Sequence, residues 1–198
     1  MRIIGLTGNI ACGKSTVSNM LRELGAYIID ADVVARKVMR SGEPAWEAVY
    51  EQFGDEYIRE DGEIDRAKLG ELVFESSHAL EKLNGIVHPI IVKTIEDELN
   101  CLIREGKHRV IVIDAALLIE TGCQRLVDEV WLVTLPYEVQ LKRLMKRDNL
   151  TKREAKQRIE SQMPQYEKKE HAHVIIDNSM AIEYTREQVE HMWNELKH

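Results

Sequence analysis

The sequence predicts an α/β fold: a doubly wound parallel sheet of five strands, interrupted by a helical insert and by a second, basic excursion. Three observations predict it. Five short apolar runs, at residues 3–6, 26–29, 110–113, 130–135 and 174–176, alternate with helical patterns. These runs are continuously apolar rather than alternating, as strands buried on both faces of a parallel sheet must be. The regular alternation breaks between 32 and 109, and again between 137 and 166.

The first run feeds a glycine-rich turn, Gly8-Asn-Ile-Ala-Cys-Gly13-Lys14-Ser15-Thr16. Gly-x4-Gly-Lys-[Ser/Thr] is the phosphate-binding P-loop pattern, expected by composition in roughly one chain of this size in a hundred. Its glycines let the backbone form a cup whose N–H groups converge on an anion. Val17, Met20, Leu21 and Leu24 then recur at helical spacing, so the cup opens a helix whose dipole favours phosphate. Gly8, Ala11, Cys12, Gly13, Lys14, Ser15 and Thr16 are therefore expected to hold ATP. Lys14 reaches the β- and γ-phosphates, and the Ser15 hydroxyl is the expected Mg²⁺ ligand. Cys12, near a helix N-terminus, sits where thiolates are favoured; the alternative is a small tolerated side chain.

The second run ends in Ile28-Ile-Asp30-Ala-Asp32. Ligands of such sheets bind at the carboxyl ends of the strands, which puts both acids on the P-loop rim. Asp32 suits the base that orients an acceptor hydroxyl; capping of the helix expected at 33–39 is its other reading, and Asp30 competes for that cap. No core strand is evident from there to Arg109. Helical patterns at 45–53, 66–74, 80–87 and 90–103 dominate instead, with a turn at 60–63 and an interruption at His88-Pro89.

The third run ends in Asp114, the position from which a Walker B acid holds a metal, although many buried strands end this way. After the fourth run lie Lys142, Arg143, Lys146, Arg147, Lys152, Arg153, Lys156 and Arg158, against Asp148 and Glu154 alone. A solvated helix face explains such a segment, but beside a P-loop a lid that closes over phosphates is the better reading. Arg143 and Arg147, at i and i+4, can grip a phosphoryl group in transfer. Asn178, after the fifth run, is placed to bond adenine or simply to form a turn. Val189, Met192, Trp193 and Leu196 line one face of a closing helix.

The bulk properties narrow the function. With 44% hydrophobic and 31% charged residues, the 198-residue chain reads as one globular domain. Its layout is a core at 1–32, 109–136 and 167–198, a helical lobe at 33–108 and a lid at 137–166. A net charge of -7 argues against nucleic acid as a partner. No apolar run approaches the ~20 residues of a membrane span. Cys12, Cys101 and Cys123 match no disulfide or zinc framework, so a reducing cytoplasm is expected. A monomer or weak homo-oligomer is the expected state.

At the level of blocks, the chain resembles the dephospho-coenzyme A kinases, a family of P-loop small-molecule kinases. The resemblance rests on residues 4–16, Ile29-Asp-Ala-Asp-Val-Val-Ala-Arg36, His88-Pro89, Leu117-Leu-Ile-Glu120, Gln140-Leu-Lys-Arg-Leu144 with Arg147-Asp148, and Ile175-Ile-Asp-Asn178. It implies transfer of the ATP γ-phosphate to the ribose 3′-hydroxyl of dephospho-CoA, the final step of CoA synthesis. It also implies Asp32 as catalytic base, the helical insert as the CoA-binding lobe and the basic excursion as the lid. Two positions depart from the family pattern: Asn9, where Gly is usual, and Ala116, where Pro is usual. Another nucleoside or nucleotide kinase is the alternative enzyme. A regulatory GTPase would need an Asn-Lys-x-Asp block, which is absent, and a nucleotide binder without turnover has no need of Lys14, Ser15 and Asp32 together.

Overall fold

The computed structural model describes residues 1–196. Its sheet has the order β2-β3-β1-β4-β5, with β1 at Arg2–Thr7, β2 at Tyr27–Asp30, β3 at Val110–Asp114, β4 at Glu129–Thr134 and β5 at Val174–Asp177. β1 runs parallel to β3 and β4, and β4 parallel to β5. All five strands fall on the expected apolar runs. β1 lies centrally between β3 and β4, so the loop leaving it opens at the point where the winding of the sheet reverses, the usual ligand crevice of such folds. The register pairs Leu6 with Asp114 and Thr7 with Leu132, which sets the third strand's acid beside the start of that loop.

By contact the chain forms two compact units, Met1–Ile29 with Leu102 onward, and Asp30–Cys101. In the first, α1 (Lys14–Glu23) and α9 (Ile182–Glu195) cover the sheet. Val17, Met20 and Leu21 join Ile4, Leu6, Val112, Trp131, Val133, Val189 and Trp193 in one core, with Leu24, Met192 and Leu196 at its edge. Both helical stripes read from spacing are thus buried faces. The remaining helices of this unit are α6 (Tyr137–Asp148), α7 (Lys152–Glu160) and α8 (Gln165–Glu170).

The second unit carries α2 (Ala31–Val38), α3 (Pro44–Phe53), α4 (Arg66–Glu75) and most of α5 (Ser77–Glu105). Val49, Ile64, Leu69 and Val87 form its centre, with Trp46, Phe53, Tyr57 and Leu83 packed around them. The turn at 60–63 is closed by an isolated antiparallel bridge between Ile58 and Ile64. The expected break at His88-Pro89 does not occur: α5 continues through Pro89. Proline removes one N–H and crowds the carbonyl four residues back, which belongs to Gly85. The apolar residues on either side, Val87 and Val92, Ile95 and Leu99, are all buried, and this packing outweighs a single missing bond. Among the described residues no helix is long and apolar enough to cross a membrane.

Candidate active site

The loop between Thr7 and Lys14 is shaped by close backbone approaches. A Cβ at Gly8 would lie 2.7 Å from the Val133 carbonyl oxygen and 2.5 Å from Cys12 Sγ. Gly13 has φ 90° and ψ 25°, and a side chain there would collide with Asn178 Nδ2. Ala11 also has positive φ, 61°, at a cost of about 1–2 kcal/mol for a residue with a Cβ. The result is a tight turn that delivers the chain into α1 with no side chain capping the helix. The first N–H groups of a helix lack acceptors within its own turns; here that of Lys14 bonds the Cys12 sulfur, that of Thr16 turns back to the loop, and no side-chain oxygen caps the helix.

Surrounding segments hold this loop from several directions. Ile10 N–H donates to Gln162 Oε1 at 2.7 Å, and Gln140 Nε2 donates to the Ile10 carbonyl at 2.8 Å. Asn9 Nδ2 donates to the Met163 carbonyl at 2.9 Å. Asn178 Nδ2 donates to the Cys12 carbonyl at 2.8 Å, while Thr185 Oγ1 donates to Asn178 Oδ1 at 2.9 Å. Asn178 is therefore a buried brace between loop and α9, and its amide is engaged inside the protein rather than presented to a base. The turn beyond β5 is closed by its neighbour, Asp177 Oδ1 accepting from Ser179 N–H at 2.8 Å.

Cys12 corrects the expectation of an activated thiol. It is 1% exposed, and burial pushes its pKa up to about 11. A hydrogen bond from the Lys14 backbone and the charges of Lys14 and Lys168 act in the lowering direction but do not prevail. Desolvation disfavours the thiolate more than the helix terminus favours it.

Lys14 Nζ is ion-paired with Asp114, which is 6% exposed at the end of β3. The P-loop cation is thus held by the carboxylate that the strand register sets beside the loop. Ser15 stands exposed at the start of α1, and Thr16 N–H bonds the Gly13 carbonyl at 3.0 Å. Behind Asp114, the Ala116 carbonyl accepts from Thr7 Oγ1 at 3.2 Å and from Lys168 Nζ at 2.7 Å. Lys168 is 0% exposed, and its Nζ lies 2.8 Å from Glu120 Oε1 as an ion pair without the alignment of a hydrogen bond.

On the insert, Asp30 caps α2: its Oδ1 accepts from the N–H groups of Asp32 at 2.9 Å and Val33 at 3.2 Å. The helix starts two residues earlier than its apolar pattern suggests, which makes Asp30 the cap and leaves Asp32 in the first turn with an exposed carboxylate. On α6, the Arg147 guanidinium lies on Asp148 with bonds of 2.7 and 3.0 Å, and Arg158 joins the same carboxylate at 3.1 Å. These partners hold Asp148 below the usual carboxylate range. Arg143 is half-buried and has no hydrogen-bond or ion-pair partner among the described residues.

Comparison with known proteins places this geometry. The sequence profile of the family described as dephospho-CoA kinase matches residues 2–183. The chain belongs to the dephospho-CoA kinase family. A dephospho-CoA kinase of Carboxydothermus hydrogenoformans is 51% identical over 187 residues, covering 94% of this chain and 90% of that protein. One from Bacillus anthracis is 45% identical, covering 97% of each. The solved structure of a dephospho-CoA kinase from Campylobacter jejuni superposes with a TM-score of 0.74 at 31% identity, covering 98% of this chain and 96% of that one.

Of the two departures from the pattern usual in dephospho-CoA kinases, Asn9 has a visible accommodation, its side chain tying the loop to Met163. Nothing in the structure explains Ala116, whose carbonyl accepts two hydrogen bonds that a proline carbonyl could accept equally. Sequence reasoning assigned no role to Gln140, Gln162 or Lys168. Gln140 carried a weak signal, a polar residue in the buried stripe of Leu141 and Leu144. Lys168 carried none, since it resembles the neighbouring Lys169 until its burial is known.

Proposed function

We propose that this chain performs the dephospho-CoA kinase reaction, transferring the γ-phosphate of ATP to the ribose 3′-hydroxyl of dephospho-CoA, with the following division of labour. The loop 8–13 and the uncapped start of α1 cradle the ATP phosphates. Lys14 leaves Asp114 in part and takes up the β- and γ-phosphates as charge builds in transfer. Asp32 accepts a hydrogen bond from the 3′-hydroxyl, orients it and takes its proton. Freedom for that role is what the Asp30 cap supports. The insert at 33–108 grips the remote parts of the acceptor, and the excursion at 137–166 closes as a lid.

Mg²⁺ fits the donors present. The exposed Ser15 hydroxyl and the Asp114 carboxylate are hard oxygen ligands, and Mg²⁺ in such kinases takes few protein ligands and completes its shell with phosphates and water. When bound there it would neutralise charge between the phosphates. Asn178 serves nucleotide binding through the shape of the loop. Of the two arginines, Arg143 is assigned to the transferring phosphoryl group, since Arg147 is committed to Asp148. Arg143→Ala should accordingly slow single-turnover transfer several-fold more than Arg147→Ala. We assign the reaction to the cytoplasm and the chain to a monomeric or weakly associating state.

The observation that carries this reading is the braced loop with its uncapped helix and Lys14–Asp114 pair, in a chain of this family. The test is incubation with ATP, Mg²⁺ and dephospho-CoA, AMP, adenosine or shikimate under one condition, with the phosphorylated position mapped by NMR. We expect dephospho-CoA to be preferred by a large factor in kcat/KM, because binding energy from its remote parts fixes the 3′-hydroxyl. Preference for AMP or adenosine, or phosphate at another oxygen, would overturn it.

A further inference from the structure

We propose that Gln140 and Gln162 are positioning residues that make the phosphate-binding loop and the basic excursion one mechanical unit, through a clasp on the backbone of Ile10. This rests on the reading that residues 8–16 hold the ATP phosphates. The two glutamines sit at opposite ends of the excursion, Gln140 in the first turn of α6 and Gln162 just beyond α7. Both reach the same residue. One accepts from its N–H at 2.7 Å, the other donates to its carbonyl at 2.8 Å. The complementary polarity means that neither bond can be replaced by the other.

Side chains add a second grip at the same place. Ile10 and Ala11 pack against the cluster of Leu141, Leu144, Ala155 and Ile159, which joins α6 to α7. Asn9 adds a third through the Met163 carbonyl. Gln140 is buried, so its bond to Ile10 cannot be handed to solvent without cost. A movement of α6 and α7 must therefore carry Ile10 with it or break partly buried hydrogen bonds. Ile10 lies directly beside Ala11, whose positive φ helps shape the cup. Filling the cup with phosphate and ordering the excursion thus favour each other, and by linkage the coupling is the same in both directions. The loop's form also leaves Asn9 Oδ1 buried without a donor, an unsatisfied acceptor located at the junction of the two segments.

The experiment uses the full chain and the variants Gln140→Met and Gln162→Met, which keep side-chain length but lose the amide. Gln162→Asn, half-buried and still an amide but too short to reach, serves if a Met variant fails to fold. Equilibrium binding of ATP, KM for dephospho-CoA, kcat and hydrogen exchange over 142–158 with and without ADP are measured. We expect ATP affinity to fall about tenfold in each variant while KM for dephospho-CoA stays within twofold. The protection that ADP confers on 142–158 should shrink, and the double variant should lose less than the product of the single losses. A merely structural role would lower thermal stability without this split. Variants that bind ATP as the wild type does, with full ADP-dependent protection, overturn the clasp. A wild-type chain that fails to bind ATP overturns the phosphate-loop reading and the clasp with it.

Discussion

The interior of the core unit holds polar and charged side chains, Asn9, Asp114, Gln140, Lys168, Asn178 and Thr185 among them, whereas every buried residue described in the insert is apolar. The two units are stabilised on different principles. Apolar burial is non-directional and tolerates swaps of similar volume. A buried polar group must find its partner at a fixed distance and angle, so a network of them specifies one geometry. The network lies around the P-loop, the proposed phosphate site, which needs its N–H groups and Lys14 held in one arrangement. In the insert the directional bonds are mostly local, such as the Asp30 cap and the Asp65 cap of α4, and the proposed base Asp32 is exposed next to the first of these.

The largest effect that sharpens this contrast is expected at Lys14. Lys14→Met should lower kcat by about a thousandfold or more, near 4 kcal/mol of transition-state stabilisation, while circular dichroism shows the fold retained. Near-normal turnover in a folded variant would break the assignment of the loop.

On the insert, Asp32 and Asp30 should separate cleanly. Asp32→Asn should lower kcat by about 10²–10⁴-fold with little change in ATP affinity or thermal stability. Asp30→Ala should cost about 1 kcal/mol of stability through the lost cap. If the Asp30 variant is the one that abolishes turnover while remaining folded, the roles are reversed.

Lys168→Met tests the buried network against the apolar core. It strips the cation from Glu120 and a donor from the Ala116 carbonyl, and should destabilise by about 3–5 kcal/mol in urea unfolding. Leu69→Met, at the centre of the insert, should cost less than about 1.5 kcal/mol. Equal losses at the two sites would remove the distinction between the units.

The effect that is smallest at neutral pH concerns Cys12. Exposed Cys101 should react with a thiol reagent quickly at pH 8, and Cys12 slowly whether or not ATP is bound. The folded pKa of about 11 exceeds the ordinary 9.0. Stability from the neutral buried thiol is therefore fully present below pH 9 and lost as pH rises through 11, by up to about 3 kcal/mol. Cys12→Ala should show a shallower decline than the wild type across that window. Parallel curves would mean that the thiol is not desolvated.

The legible parts of the fold were those whose signal is local. Each strand was found within about a residue of its apolar run, because consecutive apolar residues leave a strong trace: β3 and β4 are buried over five positions, and even β2 and β5, at the sheet edges with one buried residue each, keep the pattern. The P-loop was legible because all the residues of its motif are contiguous. The stop expected at Pro89 failed because local propensity was overridden by the packing of Val87, Val92, Ile95 and Leu99. The braces of the loop left little trace, since Gln140, Gln162 and Asn178 lie more than a hundred residues from the backbone groups they bind.

By itself, then, the sequence determined the class of fold, the glycine-rich loop between β1 and α1, the acid at the end of each of two strands and the concentration of cations in one excursion. These depend on residue type and spacing along the chain. Only the tertiary structure decided which aspartate caps α2, that Arg147 is held by Asp148 while Arg143 has no partner among the described residues, that burial raises the Cys12 pKa and that two distant glutamines grip Ile10. Those outcomes depend on burial and on partners brought from far along the chain, and neither exists until the chain has folded.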